Sequence, residues 1–140
     1  YSPKYVMLLQ PTTPLRTTED IDAAIRLAAR RKAVAVVSVC LIAHHPYIAK
    51  RVLKDGTMVG FMKSDLPYLR RQDFPPVYVL NGAVYLNRCD VLLREKVFWP
   101  KGTQAYIMPQ ERSLDLDTLW DFRLLGMILR ARKRRPDAAE

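Results

Sequence analysis

The sequence VAVVSVC at residues 34–40 decides the fold class of this chain, because it has the composition of a buried β-strand. Four of its seven residues are valine, whose β-branched side chain suits the pleated surface of a sheet. A second apolar run, YVMLL at residues 5–9, predicts another strand, and its continuity predicts burial on both faces. The two runs therefore indicate a sheet that is covered from both sides.

A helix is predicted between these two strands. Thr17 and Asp20 resemble a capping box in which Asp replaces the usual Glu. The apolar residues that follow recur at helical spacing and form one stripe, made of Ile21, Ala24, Ile25 and Ala28. A strand, an amphipathic helix and a second strand make a βαβ unit, so the sequence predicts an α/β fold with a right-handed crossover.

The stretch after the first predicted strand contains Pro11 and Pro14, which exclude a helix there. Residues 10–16, QPTTPLR, are therefore predicted to form a loop at the carboxyl end of a strand, called here the strand-end loop. Open α/β sheets bind their ligands at this end of the strands. The strand-end loop is thus a candidate binding segment.

The middle of the chain departs from the βαβ pattern. Residues 46–79 contain four prolines and two glycines and predict an excursion from a single domain that spans residues 1–140. Within the excursion, a turn at residues 54–58 predicts a hairpin between 48–53 and 59–62. After it, Asn81-Gly82 either forms a tight turn between two strands or lets the backbone approach a ligand closely.

The carboxyl-terminal third predicts a short strand at residues 106–109 and a last helix from Thr118 to about Arg134. Four apolar residues are predicted on the buried side of that helix: Phe122, Leu125, Ile128 and Leu129.

Composition limits the classes of protein and partner. The 140 residues carry a net charge of +9, which favours an anionic partner such as a nucleotide or a sugar acid. A nucleic-acid partner is not expected, because no basic groove with interleaved aromatic residues follows from the sequence. No apolar run approaches the roughly 20 residues that cross a bilayer, so no membrane association is expected. The two cysteines lack metal-type spacing, which predicts a cytoplasmic protein with free thiols.

An acidic cluster, SLDLDTLWD, occupies residues 113–121, where an extended segment gives way to the last helix. Residues 113–117 are called the acidic segment below. If that segment is extended, Asp115 and Asp117 point to the same side and together suit Mg²⁺, which prefers carboxylate oxygens. The alternative is that Asp117 caps the helix and Asp121 is a solvated acid of its first turn.

Several short motifs follow one another in a fixed order: LLQPTTPLR at residues 8–16, EDI at 19–21, VSV at 37–39, RRQD at 70–73, NGAVY at 81–85, and SLDLD at 113–117 with Asp121. Their order and spacing resemble the acylneuraminate cytidylyltransferases, which make CMP-sialic acid and related CMP-nonulosonic acids. The resemblance runs from about Tyr5 to Leu129. It implies an enzyme in which a nonulosonic sugar acid attacks the α-phosphorus of CTP and pyrophosphate leaves.

The resemblance also implies roles for individual residues. Asp115 and Asp117 match the Mg²⁺-binding acids of the family, and Arg70 matches an arginine needed for activity. Substrate contacts are implied for four residues: Gln10, Arg71, Gln72 and Asn81. Without the family resemblance, the residues alone favour a solvated charged patch on the excursion for Arg70 and Arg71.

The family fold is a Rossmann-like nucleotidyltransferase sheet with helices on both faces and a protruding dimerisation arm. The resemblance places this arm at residues 46–79, which implies a homodimer. Family members begin with a strand and a basic Gly-rich loop that grips the CTP phosphates, whereas no glycine precedes Gly56 here. The first strands of the sheet are therefore expected to be missing. The chain is then either the carboxyl part of a longer enzyme or a relative that does not catalyse and serves in dimerisation or sugar-acid binding.

Overall fold

The computed structural model describes residues 2–62, 70 and 73–133. Its strands are β1 (Tyr5–Leu8), β2 (Ala35–Leu41), β3 (Lys50–Val52), β4 (Met58–Gly60), β5 (Tyr78–Arg88) and β6 (Gln104–Ile107). Its α-helices are α1 (Thr18–Arg31), α2 (Cys89–Glu95) and α3 (Leu119–Lys133). The chain divides into two compact units, of which one comprises residues 1–40 and 80–140 and the other residues 41–79.

The first unit is built on a four-stranded mixed sheet with the order β1-β5-β2-β6. β2 and β6 are parallel, with Val36 opposite Gln104. β1 and β5 are antiparallel, with Tyr5 opposite Arg88. The two strands of the predicted βαβ unit are thus not neighbours, because β5 lies between β1 and β2. The fold is α/β, as the sequence predicts, but the sheet is mixed and not wholly parallel.

The core of this unit lies between α1 and the sheet. α1 begins with the predicted capping box of Thr17 and Asp20. Ala24 and Ala28 are buried against residues of β2 and β5 such as Val36 and Val84. Small side chains on this helix face let its backbone approach the sheet closely. The predicted stripe is wrong at one position, because Ile25 is 46% exposed.

The prediction that the first strand is buried on both faces is wrong. Tyr5 and Met7 pack against the core, whereas Val6 and Leu8 on the other face are 43% and 38% exposed. Among the described residues, β1 lies at one end of the sheet order and pairs with a neighbouring strand on one side only. The apolar run therefore predicts a strand correctly here, but it does not show that both faces of the strand are buried.

The last helix begins within one residue of its predicted start and runs to Lys133, whereas its predicted end at Arg134 lies outside the described residues. Its predicted buried side is only partly correct. Leu125 is buried, but Phe122 and Leu129 are 64% and 49% exposed. The short helix α2, which follows β5 directly, was not predicted; its seven residues cover barely two turns, too few to show a periodic apolar pattern.

The second unit contains the predicted hairpin, formed by the antiparallel strands β3 and β4. Both strands are shorter than predicted, and Gly56 at the turn has a φ of +84°. His45 stacks on Phe74 with ring centroids 4.5 Å apart, and Tyr47 packs against both rings. These aromatic rings give the unit a small cluster of its own.

No helix in the described parts of the chain is long and apolar enough to cross a membrane.

Candidate functional site

The strand-end loop is held in shape by its own last residue. The Arg16 Nη1 atom donates hydrogen bonds to the carbonyl oxygens of Gln10 and Thr13, at 2.7 and 2.8 Å. The backbone N–H of Thr13 also donates to the carbonyl of Gln10, at 3.3 Å. A positive charge that satisfies two carbonyl groups fixes the turn that carries Gln10. The shape of the loop is therefore fixed by hydrogen bonds within the loop itself.

Gly82 brings β5 close to this loop. A Cβ atom at Gly82 would overlap the side-chain oxygen of Gln10 and would lie 2.9 Å from the hydroxyl oxygen of Thr13. Gly82 also has a φ of +72°, which side chains rarely permit. Since β5 continues unbroken through this position, Asn81-Gly82 is not a turn between two strands. The tight-turn interpretation is therefore wrong, and the backbone of Gly82 closely approaches the side chain of Gln10; close approach to a ligand stays a prediction.

Asn81 links the strand-end loop to the acidic segment. It is 3% exposed, and its carbonyl oxygen accepts a hydrogen bond from the Thr13 hydroxyl at 3.0 Å. Its side-chain Nδ2 donates to the hydroxyl oxygen of Ser113 at 2.8 Å. Ser113 in turn donates to the carbonyl of Pro109 at 2.8 Å. The predicted site residue Asn81 thus contacts the first residue of the acidic segment directly.

A second link joins the same two segments. The backbone N–H of Leu116 donates to the carbonyl oxygen of Thr12 at 2.9 Å. Leu116 lies between Asp115 and Asp117, so this bond fixes the backbone that carries both acids relative to the strand-end loop. Sequence reasoning did not identify Thr12, Thr13 or Ser113, because main-chain and hydroxyl contacts leave no charge pattern in a sequence.

Asp115 and Asp117 differ in their surroundings. Asp115 is partly buried and accepts a hydrogen bond from the N–H of Leu116 at 3.1 Å, whereas Asp117 is exposed. Asp117 does not cap α3. That role belongs to Thr118, whose hydroxyl accepts from the N–H of Asp121 at 3.3 Å while Asp121 accepts from the N–H of Thr118 at 2.8 Å. The capping alternative therefore applies to Thr118 and Asp121, and leaves both earlier acids without that structural task.

The acid pair has the oxygen chemistry that Mg²⁺ prefers. Within the described residues, no group of three or more His, Cys, Asp or Glu side chains could hold a metal ion. Mg²⁺ is usually held by one or two carboxylates together with water and substrate phosphates, so two acids suffice. The chemistry of Asp115 and Asp117 is compatible with a magnesium ion that shares its ligands with a substrate, and binding of Mg²⁺ by this pair stays a prediction.

Tyr85 lies near Asp115 and belongs to a group of three aromatic side chains. The ring of Tyr85 is 5.6 Å from that of Phe98 and 6.4 Å from that of Trp99, measured between centroids. Burial raises the pKa of the Tyr85 hydroxyl, and the negative charge of Asp115 raises it further. Tyr85 is therefore near enough to Asp115 to sense its charge, although the sequence indicated no role for it.

Asp20 forms a buried ionic network under the site. It is fully buried and accepts from Arg112 Nε at 2.9 Å, Arg112 Nη2 at 2.7 Å and the Tyr106 hydroxyl at 2.9 Å. The backbone N–H of Thr17 adds a fourth bond at 2.9 Å. Burial by itself raises the pKa of Asp20, but the bonds from Arg112, Thr17 and Tyr106 outweigh it and hold this pKa at about 2. Asp20 is therefore ionised at neutral pH.

The remaining predicted residues belong to the second unit. Arg70 is exposed and forms an ion pair with Asp73, with 3.1 Å between Nε and the carboxylate oxygen. Arg71 and Gln72 lie outside the described residues. The structure thus joins Gln10, Asn81 and the acidic segment in one cluster, and it describes Arg70 only in its local ion pair.

Comparison with known proteins gives the family. No family model matches the chain. An N-acylneuraminate cytidylyltransferase of Streptococcus agalactiae serotype V is 37% identical over 83% of this chain. One of Escherichia coli O18:K1:H7 is 34% identical over 91%. A CMP-N,N'-diacetyllegionaminic acid synthase of Legionella pneumophila is 30% identical over 89%.

The chain spans 28%, 30% and 53% of the lengths of these three relatives, in the same order. Similarity at this level over most of the chain agrees with the order of motifs in the sequence. The chain therefore belongs to the acylneuraminate cytidylyltransferase family and corresponds to part of the length of its members.

Proposed function

We propose that this chain carries part of the site of a cytidylyltransferase that activates a nonulosonic, sialic-type sugar acid with CTP. The observation that carries the proposal is the link between the strand-end loop and the acidic segment through Thr12 and Leu116. This link puts an amide side chain, Gln10, and a carboxylate pair on two segments with a fixed relative position. The relatives bear the names of enzymes that carry out this activation.

In the proposed reaction, the anomeric hydroxyl oxygen of the sugar acid forms a bond to the α-phosphorus of CTP. The bond from that phosphorus to the bridging oxygen of the β-phosphate breaks, pyrophosphate leaves and the hydroxyl proton is released. Negative charge moves between phosphate oxygens in this step, so catalysis depends mainly on positioning and on positive charge. The acidic segment cannot supply positive charge by itself.

Asp115 and Asp117 would hold Mg²⁺, which supplies that positive charge at the phosphate oxygens when it is bound. Gln10 would contact the sugar acid from the strand-end loop, and Asn81 would keep the acidic segment in place through Ser113. Arg70 and Arg71 would contact a carboxylate or phosphate, for which a planar guanidinium is well suited, and Gln72 would act beside them.

The fold of a complete member is proposed to be a larger Rossmann-like sheet with helices on both faces. The exposed apolar side chains of Val6 and Leu8 on one face of β1 support a further element that packs on that face of the sheet. Residues 46–79 are proposed as an arm that forms a homodimer. The exposed side chains of Phe61 and Met62 in this region support a contact with another chain.

The proposal is tested by mixing a full-length protein that contains these 140 residues with CTP, a sialic or legionaminic acid and MgCl₂, and measuring CMP-sugar and pyrophosphate. Mg²⁺-dependent product, or Mg²⁺-dependent CTP binding by calorimetry, is the expected result. The variant Asp117→Asn should abolish either signal, because an amide is a poor magnesium ligand. The control Asp121→Asn removes a nearby charge of the helix cap and should leave the Mg²⁺ dependence unchanged.

Turnover that is unchanged in Asp117→Asn would show that the metal assignment is wrong. If the full-length protein neither turns over nor binds CTP in the presence of Mg²⁺ but does bind a sugar acid, it is a non-catalytic member of the family.

A further inference from the structure

The ion pair between Asp20 and Arg112 has a geometry that exceeds what helix capping requires. A capping box needs one acceptor from Asp20 for the Thr17 N–H, and that bond is present. Three further hydrogen bonds come from Arg112 and Tyr106, which lie outside α1. A fully buried carboxylate is costly unless it is paired, so the network must be complete to be stable.

Asp20 and Arg112 lie next to the two segments in the sequence. Asp20 is in α1, four residues beyond Arg16, the end of the strand-end loop. Arg112 is three residues before Asp115, in the short 3₁₀ helix Gln110–Arg112 that leads into the acidic segment. The pair therefore joins α1, which follows the strand-end loop, to the 3₁₀ helix that precedes the acidic segment.

The contact between Arg112 and Asp20 is bidentate. Nε and Nη2 of Arg112 reach different oxygens of Asp20, so the contact fixes an angle as well as a distance. The guanidinium is one-third exposed while the carboxylate is fully buried, at 32% and 0% of the side chains. An arginine anchored in this way can hold the start of the acidic segment in one orientation.

We infer that Arg112, acting through Asp20, is a positioning residue that sets the acidic segment against the strand-end loop. The catalytic meaning of this role rests on the proposed function. Its structural consequence does not depend on that function. When the ion pair is removed, the acidic segment should separate more often from the loop, while the sheet beneath remains formed.

The test is amide hydrogen exchange of the whole chain, followed by NMR at the Leu116 N–H that bonds to Thr12. In Arg112→Gln, protection of Leu116 should fall by at least about tenfold, while amides in the centre of β2 keep theirs. Arg112→Lys keeps the positive charge but loses the bidentate contact of the guanidinium. Protection of Leu116 in this variant should therefore lie between that of Arg112→Gln and that of the unsubstituted chain. The matched control is Arg94→Gln, which removes an exposed pair with Glu95 and should leave Leu116 unchanged.

Equal protection of Leu116 in Arg112→Gln and the unsubstituted chain would overturn the inference. If Arg112→Gln loses protection throughout the sheet, the milder variant Tyr106→Phe decides, because it removes a single bond to Asp20. A loss confined to Leu116 and its neighbours in that variant supports the inference, and a loss shared with β2, or no loss, refutes it.

A second measurement separates this inference from the proposed function. Mn²⁺, a paramagnetic substitute for Mg²⁺, should broaden the amide signals of Asp117 and Thr12 together in the unsubstituted chain. In Arg112→Gln the signal of Asp117 should still broaden, and that of Thr12 should broaden less. If Mn²⁺ broadens neither signal in the unsubstituted chain, the proposed metal site fails, while the exchange of Leu116 still decides the role of Arg112.

Discussion

The side-chain oxygen of Gln10 occupies the space that a Cβ atom at Gly82 would need. The glycine on β5 and the glutamine of the strand-end loop therefore fit only each other in this arrangement. Gln10 is predicted to contact a substrate, so the absence of a side chain at Gly82 determines where that contact can form.

Gly82→Ala should displace Gln10 and disturb Thr13, whose hydroxyl would lie 2.9 Å from the new methyl group. Loss of the buried bond from Thr13 to Asn81 should lower the free energy of unfolding by about 1 kcal/mol beyond backbone strain. The control Gly102→Ala has a similar φ, +87°, but its nearest atom is 3.8 Å away. Urea unfolding of both variants separates the effect of the steric overlap from that of backbone strain. Equal losses of unfolding free energy in the two variants would contradict an effect of the overlap.

Asp20 should make stability depend on pH in the acid range. Its pKa is about 2 in the folded chain against an ordinary 3.8, so its contribution is complete above about pH 4 and is lost as the pH falls through 2. The shift corresponds to about 2 kcal/mol. The stability gap between the unsubstituted chain and Asp20→Asn should therefore shrink by about this amount between pH 4 and pH 2 in urea unfolding.

The exposed Asp90 serves as the control for this titration. Its pKa is also lowered, through the hydrogen bond from Arg88, but solvent screens the pair. Asp90→Asn should change the acid dependence far less than Asp20→Asn, and similar profiles for both variants would argue against a special role for the buried network.

Thr118→Ala should weaken the start of α3. The threonine hydroxyl accepts from the N–H of Asp121 and donates to its carboxylate, and alanine removes both bonds. A lost N-cap typically costs about 1 kcal/mol, which thermal unfolding can detect. The comparison is Thr18→Ala, whose exposed hydroxyl makes only a 3.4 Å contact with Glu19. A smaller loss for Thr118→Ala than for Thr18→Ala would be inconsistent with this cap.

Asp115→Asn should lower the pKa of Tyr85, because the charge of Asp115 contributes to its raised value. The pKa should stay above the ordinary 10.0, since burial is the larger cause and is unaffected. Tyrosinate absorbance against pH measures the change, and Tyr85→Phe identifies the contribution of this tyrosine among the seven. Asp117→Asn is the control. An unchanged Tyr85 titration in Asp115→Asn would place the acid too far away to act on the hydroxyl.

Local features of the fold were predictable because they depend on neighbouring residues. Three such features depend on contacts within a few residues along the chain. They are the capping box of Thr17 and Asp20, the hairpin turn at Gly56 and the start of the last helix. The exposure of Phe122 was not predictable in this way. Helical periodicity gives the direction of a side chain, but not whether another element covers it.

The residues of the candidate site also differ in whether the sequence alone reveals them. Gln10, Asn81, Asp115 and Asp117 could be proposed from the sequence, because the order of the motifs that contain them resembles the family, and their roles stay predictions. Arg112 could not be selected, since its partner Asp20 is 92 residues away and an arginine before an acidic segment could equally face solvent. A contact of this kind is visible only in the tertiary structure, where α1 packs against the 3₁₀ helix.

The sequence by itself therefore determined the α/β class, the family and the residues with the right chemistry, because composition, spacing and motif order carry that information. Only the tertiary structure decided that β5 lies between β1 and β2, that Gly82 accommodates Gln10, and that Thr12 binds the backbone of Leu116. The physical reason is that these relationships join segments far apart in the chain. The shared core of the sheet and α1 fixes their distances, and no local sequence pattern encodes them.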